Sequence, residues 1–549
     1  MPIVYKSAIG SSKIKFKQAP SSIVHFFVFL SCFHHHHQEQ FMKWLNAVVK
    51  MGFDWHMRQA LKAIEQPQAA QNALFQQLLA KGKQTSFGRQ YDFASIQSID
   101  SFRSRVPIHS YEMLQPYIHK MMQGKANILW PGKTTYFSRS SGTTNNRSKY
   151  IPVTKENLNK CHLRGGHDVI SFWYYNNPTS KIFDGSRAIV MGGELSMHHP
   201  TAKTYVGDVS AIMLKHLPFY AEYFLTPDIP TALLSDWETK IERIAAVAQH
   251  QNVTNLSGVP TWTLVLFRKI LEQSGKDSLS EVFPNFELYA HGGVDFAPYR
   301  SQFEALFPCQ KVQYRNTYNA SEGFFAAQFD KDDTGMQLLL DNGVFYEFIP
   351  MQEWGKEFPK TKTIHDVELG VNYAIVISTN AGLWRYAIGD TVQFTSLYPH
   401  QIQITGRTKQ FINVFGEELM VANTEKALAT TCQQTQAQVC EYTVAPIFFS
   451  QQNRGGHEWI VEFQKDPHNL QHFKQLLDQN LQNVNSDYEA KRYKDIALKE
   501  LELKTVPKGS FHHWLKSKGK YGGQNKVPRL SNNRQYLEEI LDSINYYNA

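Results

Sequence analysis

Small hydroxyl side chains and basic side chains are concentrated in one short stretch of the sequence, YFSRSSGTTNNRSKY at residues 136–150. It contains six Ser or Thr hydroxyls, one glycine, two arginines and a lysine. Hydroxyls, backbone N–H groups in a tight turn and cations all donate to anionic oxygens, so this stretch can cradle a phosphate. Ser, Thr and Asn are also common in a solvated surface loop, and the stretch alone does not separate the two interpretations.

A carboxylate follows a turn of small residues in the segment YNASEGFF at residues 318–325, directly after the strand-like KVQYRN. Loops at the carboxyl ends of strands in an α/β sheet are where ligands usually bind. Glu322 can therefore take part in a site for Mg²⁺, which binds to one or two carboxylates together with phosphate oxygens. An isolated glutamate is more often a surface residue, which is the alternative for Glu322.

Two further segments place charged side chains at the ends of strand-like runs. In GLWRYAIGDTV (382–392), Asp390 can accept hydrogen bonds from the vicinal hydroxyls of a ribose; capping of a turn is the alternative. In GRTKQFINVFGEEL (406–419), Arg407 can fork onto phosphate or ribose oxygens, and Lys409 lies where a hinge would turn. A solvated pair of cations is the alternative there.

Helical and strand-like patterns alternate along the chain, which predicts an α/β protein. Apolar residues recur at helical spacing in residues 42–81, 239–250, 262–272 and 469–481. Aromatic and β-branched runs predict strands at residues 312–314, 344–349, 373–378, 401–405 and 460–463.

The length of 549 residues predicts more than one domain. A boundary near Gly406 separates a large N-terminal domain, residues 42–405, from a small C-terminal domain, residues 406–549. Residues 1–41 combine basic residues, an apolar run of 11 residues and four consecutive histidines. This run is too short to span a bilayer, and we expect a non-native or disordered leader, with Met42 opening the protein.

Composition excludes several classes of protein. The net charge of +8 is modest and gives no strong case for nucleic acid. Residues 503–535 carry eight basic and no acidic side chains, which indicates a solvated basic face by default and would also suit a polyphosphate partner. The five scattered cysteines suggest neither disulfides nor zinc and fit a reducing cytoplasm. Walker, HExxH and GxSxG motifs are missing from the sequence.

The four segments, in this order, resemble the acyl-adenylate-forming enzymes, which include acyl-CoA synthetases, peptide-synthetase adenylation domains and luciferases. Within that superfamily the sequence is similar to the auxin-responsive Gretchen Hagen family of acyl acid amido synthetases. The segments that carry this similarity span most of the chain from about Met42: SSGTTNNRSKYIPVT (140–154), YNASEGFF (318–325), FYEFIP (345–350), LGVNYAIVISTNAGLWRYAIGDTV (369–392) and NKVPRL (525–530).

The resemblance implies the adenylate-forming fold: a large N-terminal α/β domain with β-sheets and a barrel-like part, and a smaller mobile C-terminal α/β domain. It implies an ATP- and Mg²⁺-dependent ligase that adenylates a carboxylic acid and transfers the acyl group to an amine, expected to be an amino acid. An acyl-CoA ligase and a non-catalytic nucleotide-binding homologue remain alternatives. Neither a nucleic acid nor a membrane is expected as a partner, and a monomer is favoured.

The resemblance also assigns roles to individual residues. The residues implied to bind ATP are Ser140, Ser141, Thr143, Thr144, Tyr318, Asn319, Asp390 and Arg407. The four hydroxyls would bind the phosphates, Tyr318 would lie against the adenine, and Asp390 would bind the ribose. Glu322 would bind Mg²⁺ and act in catalysis with Lys526, which the small domain would carry in, and Lys409 would be the hinge.

Two features depart from the family or lie outside its motifs. Asn145-Asn146 stands where the family often has Glu-Gly, which removes a flexible glycine; because Asn tolerates left-handed backbone, we expect an altered loop rather than an inactive one. Lys409 stands where many superfamily members have Asp. For the acyl pocket, Trp262 and Val294 are the candidates, with core packing as the alternative.

Overall fold

The protein is described by a computed structural model covering residues 35–140, 149–297, 299–408, 411–412, 417, 419–447, 455–492, 498–519 and 526–545. The chain divides into two units, residues 1–49 and 50–549. Of the first unit, residues 35–49 form the beginning of the helix His35–Glu65. All the contacts given below lie within the second unit.

The strands of the described residues, in chain order, are β1 (Tyr136–Ser140), β2 (Lys149–Val153), β3 (Arg187–Ile189), β4 (Leu195–His199), β5 (Thr204–Gly207), β6 (Leu225–Thr226), β7 (Val253–Gly258), β8 (Leu288–Gly292), β9 (Gln313–Ala320), β10 (Gly323–Ala327), β11 (Met336–Leu338), β12 (Val344–Pro350), β13 (Asn372–Thr379), β14 (Tyr386–Leu397), β15 (His400–Arg407), β16 (Phe411–Ile412), β17 (Leu419–Met420), β18 (Gln438–Ile447), β19 (Gly456–Lys465) and β20 (Glu502–Val506).

The helices of seven residues or more are His35–Glu65, Pro67–Gly82, Ile99–Arg105, Tyr111–Met122, Leu163–Asn176, Val209–Lys215, Trp237–Ala248, Pro260–Ser274, Arg300–Leu306, Val421–Thr435, Leu470–Val484, Ser486–Arg492, Ser510–Ser517 and Gln535–Asn545. None of the helices in the described ranges has the length and apolar character that crossing a bilayer requires.

An eleven-stranded mixed sheet dominates the structure, with the strand order β12-β13-β14-β15-β11-β10-β9-β8-β7-β3-β6. Strands from β12 to β9 pair antiparallel, whereas β9, β8, β7, β3 and β6 pair parallel. Strand β9 is therefore the junction between the two halves. The parallel strands β7, β8 and β9 have their carboxyl ends at the same edge of the sheet, which is where ligands bind in such folds.

The sequence patterns explain why these elements form. Strand β13, NYAIVIST, is a continuous apolar run that is buried from its second residue onward, as expected for a strand covered on both faces. The helix Trp237–Ala248 begins where Asp236 accepts a hydrogen bond from Thr239 N at 2.8 Å. Its buried residues recur at helical spacing and face the same core as the neighbouring helix Pro260–Ser274.

The C-terminal part of the chain has its own sheet, β18-β19-β20. Alternate residues of β18 and β19 point to opposite faces. One face, with Tyr442 and Trp459, packs against the helices Val421–Thr435 and Leu470–Val484. The other face, with Ala445 and Ile460, packs against Ser510–Ser517 and Gln535–Asn545. This part therefore has helices on both faces of a short sheet.

The α/β class predicted from the sequence is confirmed. Predicted helices at 239–250, 262–272 and 469–481 and strands at 344–349, 373–378 and 401–405 each lie within two or three residues of observed elements. The predicted helical region 42–81 is two helices, because Pro67 begins a new helix after Gln66. The predicted strand at 312–314 extends further, to Ala320.

Candidate active site

A cavity of about 1320 Å³ opens at the carboxyl ends of β8 and β9. It is bounded on one side by residues of the large sheet and on the other by the helix Val421–Thr435 and the segment 526–529. Seven of the residues singled out from the sequence line it: Val294, Tyr318, Asn319, Glu322, Asp390, Arg407 and Lys526. Lys526 is more than 200 positions from Glu322 in the sequence, so the fold brings these residues together.

Asp390 is held between two partners. Its Oδ2 accepts a hydrogen bond from the hydroxyl of Tyr318 at 2.7 Å, and its Oδ1 accepts one from Arg407 Nε at 2.8 Å. Asp390 and Arg407 lie directly opposite each other on β14 and β15. The neighbouring carboxylate raises the pKa of Arg407 further above its usual value. A carboxylate has about four lone-pair sites, so two hydrogen bonds leave Asp390 able to accept more.

The backbone conformation at the position before Asp390 explains why glycine is found there. Gly389 has φ +94°, a left-handed backbone conformation that glycine adopts readily. Its carbonyl accepts a hydrogen bond from Thr408 N at 2.8 Å. This bond forms just where β15 ends, so the hydrogen bonding between β14 and β15 ends at the Gly-Asp pair, beside the cavity.

Glu322 lies in the two-residue turn between β9 and β10, where Ala320 pairs with Gly323. The residue is 7% exposed, and Tyr386 OH lies 3.4 Å from Glu322 Oε1. Burial raises the pKa of the Glu322 carboxyl, and the charge of Lys149 opposes that shift. A cation bound in the cavity would favour the charged carboxylate.

Lys526 enters the cavity from the C-terminal part of the chain. A Cβ atom built on Gly293 would lie 3.0 Å from Lys526 Nζ, so the ammonium group contacts the backbone that follows β8. Burial, together with the charge of Arg407, lowers the pKa of Lys526 to about 8, and Asp390 opposes this shift. An anionic ligand would restore the charged form.

Of the remaining predicted residues that the structure describes, Ser140 and Trp262 do not line this cavity. Ser140 ends β1, while Ser141, Thr143, Thr144 and Lys409, with Asn145-Asn146, lie outside the described residues. The Trp262 ring is 4% exposed, stacks on His512 at 5.1 Å and meets Trp237 at 4.6 Å. Among the described residues, Trp262 does not line this cavity, and its role in an acyl pocket stays a prediction.

Sequence reasoning missed several residues that the fold brings to the cavity. Ser321 lines it and its Oγ accepts a hydrogen bond from Ser138 Oγ at 3.0 Å, which joins β1 to the turn that holds Glu322. Arg139 lines it and pairs with Glu194. Arg139 and Ser321 lie inside segments that the sequence singled out for other residues. Their polar side chains were the signal that could have identified them.

The donor set fits Mg²⁺ bound together with phosphate oxygens. Within the described ranges, no group of three His, Cys, Asp or Glu side chains could hold a metal on its own. Mg²⁺ commonly binds through one or two carboxylates and substrate phosphates. Glu322, as a buried carboxylate facing the cavity, is the residue that would hold it.

Models of the GH3 family match three successive parts of the chain: its N-terminal domain over residues 56–312, its central domain over 337–407 and its C-terminal domain over 422–535. The chain belongs to the GH3 family. The resemblance noted from the motifs is thereby confirmed. Glu322 lies between the first two GH3 matches, whereas Asp390 and Arg407 lie within the central one and Lys526 within the C-terminal one.

Curated GH3 relatives are similar over nearly their whole length. Indole-3-acetic acid-amido synthetase GH3.3 of Arabidopsis thaliana is 23% identical over 557 residues, covering 86% of this chain and 91% of the relative. Jasmonoyl--L-amino acid synthetase JAR4 of Nicotiana attenuata is 23% identical over 516 residues, covering 81% of this chain and 87% of the relative.

Solved structures share the fold. AtGH3.15 acyl acid amido synthetase in complex with 2,4-DB superposes with a TM-score of 0.71 at 16% identity, covering 89% of this chain and 96% of that one. 2-Hydroxyisobutyryl-CoA ligase in the postadenylation state superposes with a TM-score of 0.58 at 12% identity, covering 88% and 93%. These superpositions confirm the predicted adenylate-forming fold.

Proposed function

We propose that this protein is an ATP-dependent acyl acid amido synthetase, a ligase that joins a carboxylic acid to the amine of an amino acid through an acyl-adenylate. The observation that carries the proposal is the convergence of Tyr318, Glu322, Asp390, Arg407 and Lys526 on one cavity. The names of the relatives, which are amido synthetases of small acids, support the amide-forming class.

In the first step, an oxygen of the carboxylate attacks the α-phosphorus of ATP, and pyrophosphate leaves. Asp390 accepts hydrogen bonds from the ribose hydroxyls, and Tyr318 lies against the adenine. The developing negative charge on the phosphates is stabilised by the ammonium of Lys526 and by Arg407. Mg²⁺, when bound at Glu322, would neutralise part of the charge of the phosphates.

In the second step, the amine attacks the acyl carbon of the adenylate, and AMP leaves. No side-chain nucleophile is needed in either step. We also propose that the small domain, residues 406–549, turns about Lys409 between the steps, and that Ser140, Ser141, Thr143 and Thr144 bind the phosphates. Asn319 would contact the nucleotide beside Tyr318.

Several finer points are part of the same proposal. We propose that residues 42–405 form the large domain and residues 1–41 a leader. We propose that the enzyme acts as a cytoplasmic monomer, in keeping with the free thiols of Cys161, Cys309, Cys432 and Cys440. For Val294, which lines the cavity, and for Trp262 we propose contact with the acyl group.

The test is carboxylate-dependent ATP–pyrophosphate exchange with a panel of aromatic, fatty and oxo acids. We expect exchange with at least one acid in the wild type and a loss of at least a hundredfold in Glu322→Gln, which removes the charge and keeps the shape. Glu242→Gln, on an exposed helix face, is the matched control and should exchange normally. Absence of exchange with every acid, while ATP still binds, would favour the non-catalytic homologue.

The product of the complete reaction separates the two remaining ligase classes. Mass spectrometry of reactions containing each of the common amino acids should show an amide. A thioester formed with coenzyme A, and no amide with any amino acid, would identify an acyl-CoA ligase instead.

A further inference from the structure

Lys526 belongs to a segment that is held on the edge of the small sheet by its backbone. Thr443 Oγ1 donates to Pro528 O at 2.7 Å, and Val444 N donates to Arg529 O at 2.9 Å. Leu530 then pairs with Val444 as an isolated parallel bridge. The place of Lys526 in the cavity therefore depends on where this edge of the sheet lies relative to the large sheet.

Three of the five N–H donors of Arg529 bind within the C-terminal part of the chain. Nε donates to Glu425 Oε1 at 3.1 Å, and Nη1 donates to Glu441 Oε1 and to Tyr442 O. The guanidinium also lies 4.6 Å from the centre of the Tyr442 ring. Four contacts therefore fix this side chain, which is 7% exposed, to the small sheet and its first helix.

The Nη2 atom of Arg529 reaches across to the other side of the cavity. Nη2 donates to the hydroxyl of Tyr299 at 2.9 Å. Tyr299 is 1% exposed and packs in the core of the parallel half of the sheet with Phe296 and Phe303. The hydrogen bond therefore joins two rigidly held side chains, one from each side, only three residues from Lys526.

We propose that Tyr299 is a positioning residue for adenylation: its hydroxyl fixes Arg529, and Arg529 fixes the segment that carries Lys526 into the cavity. The inference rests on the proposed function. It assigns a role to Tyr299 in the first half-reaction alone, because the charge that Lys526 stabilises leaves with pyrophosphate before the amine attacks.

The variant Tyr299→Phe keeps the ring and removes the hydroxyl. We expect ATP–pyrophosphate exchange to fall about tenfold or more, since a hydrogen bond to a charged group is lost. Amide formation from a supplied acyl-adenylate should stay within about twofold of wild type. Arg529→Lys, which keeps the charge but loses the planar fork, should show the same split, and the double variant should be no worse than the more impaired single variant.

The matched control is Tyr488→Phe. Tyr488 is also 1% exposed and donates to a charged partner, Asp478 Oδ1 at 2.7 Å, in the same C-terminal part of the chain. Its hydroxyl binds Asp478 rather than the segment of Lys526, so its exchange and amide rates should fall together or not at all. Circular dichroism of all variants verifies folding; if Tyr299→Phe did not fold, Arg529→Lys would carry the test.

Proton uptake on ATP binding gives a second readout that a general loss of stability would not move. Burial lowers the pKa of Lys526 to about 8, so at pH 8.5 the wild type should take up most of a proton when the phosphates bind. If the loss of the Tyr299 hydroxyl loosens the segment, Lys526 is better hydrated and is already charged before ATP binds. The proton uptake of Tyr299→Phe should therefore be smaller than that of the wild type.

Three outcomes would overturn the inference: exchange by Tyr299→Phe within twofold of wild type, equal losses in both half-reactions, or an equal selective loss in Tyr488→Phe. A wild type that exchanges with no carboxylate would overturn the proposed function, and this inference with it. A wild type that exchanges normally beside an unaffected Tyr299→Phe would overturn this inference alone.

Discussion

Arg407 stands directly opposite Asp390 on neighbouring antiparallel strands, and its Nε donates to Asp390 Oδ1 at 2.8 Å. The register of β14 and β15 therefore places a cation and an anion on one rung of the ladder, at the edge of the cavity. Since Tyr318 OH holds the other oxygen at 2.7 Å, Asp390 is oriented before any ligand arrives.

Asp390→Asn should weaken ATP binding. The amide keeps the shape, but it loses the charge that Arg407 and Tyr318 hold in place, and charge-assisted hydrogen bonds are about twice as strong as neutral ones. We expect the dissociation constant for ATP, measured by calorimetry, to rise about tenfold or more. Asn372→Ala, at the rim of the same cavity, serves as the comparison, and an equal effect there would argue against a ribose role for Asp390.

ATP binding should be coupled to protonation of Lys526. Burial lowers the pKa of this lysine from 10.5 to about 8, so between these values the free folded protein binds fewer protons than the unfolded chain. Stability should therefore rise with pH across that window as the cost of a buried charge disappears. Phosphates raise the pKa again, so ATP should bind with proton uptake near pH 8.5.

The coupling is measured from the binding enthalpy in buffers of different ionisation enthalpy. Lys526→Met should abolish the proton uptake and should slow exchange by at least a hundredfold. Uptake that persists in the variant would assign the proton to another group.

Arg139 and Glu194 should have opposite effects on ATP binding. Arg139 lies within the hydroxyl-rich stretch 136–150, lines the cavity and pairs with Glu194. Both side chains are about two-fifths exposed, so the pair contributes little to stability. Arg139→Gln should weaken ATP binding several-fold, whereas Glu194→Gln frees the arginine for phosphate and should strengthen it. Changes in the same direction would show that the pair only shapes the loop.

The buried ion pair between Arg385 and Glu347 should matter for stability. Arg385 Nε and Nη2 donate to the two oxygens of Glu347 at 3.0 Å each, and Arg103 Nε adds a third bond at 3.2 Å. Glu347→Gln leaves the buried Arg385 without its anion and removes one partner of the half-buried Arg103, a loss of about 3 kcal/mol or more. The urea midpoint should fall clearly, whereas Glu353→Gln, at an exposed pair with Lys356, should leave it unchanged.

Local patterns predicted the elements of this fold well because they depend on nearby residues. The apolar run of β13 and the helical spacing in residues 262–272 are properties of one segment. Motifs likewise pointed to Glu322, in a two-residue turn, and to Asp390, which follows Gly389 within β14, since the small residues beside each are visible in the sequence.

Contacts between distant segments were not predictable in the same way. That Lys526 lies against Gly293, or that Arg529 reaches Tyr299, depends on how two separate sheets are placed. Tyr299 has no motif and looks like any core aromatic residue. The role of Trp262 was also hard to predict, because an aromatic residue after a strand is equally typical of a pocket wall and of a packed core.

The hydrogen bond between Ser138 and Ser321 ties two sheets that are otherwise distinct in the fold. Because each hydroxyl is the partner of the other, a mutation at one position changes which residues selection tolerates at the other. The two positions should therefore coevolve: across the family we expect them to change together, with Ser or Thr kept at both positions or lost from both.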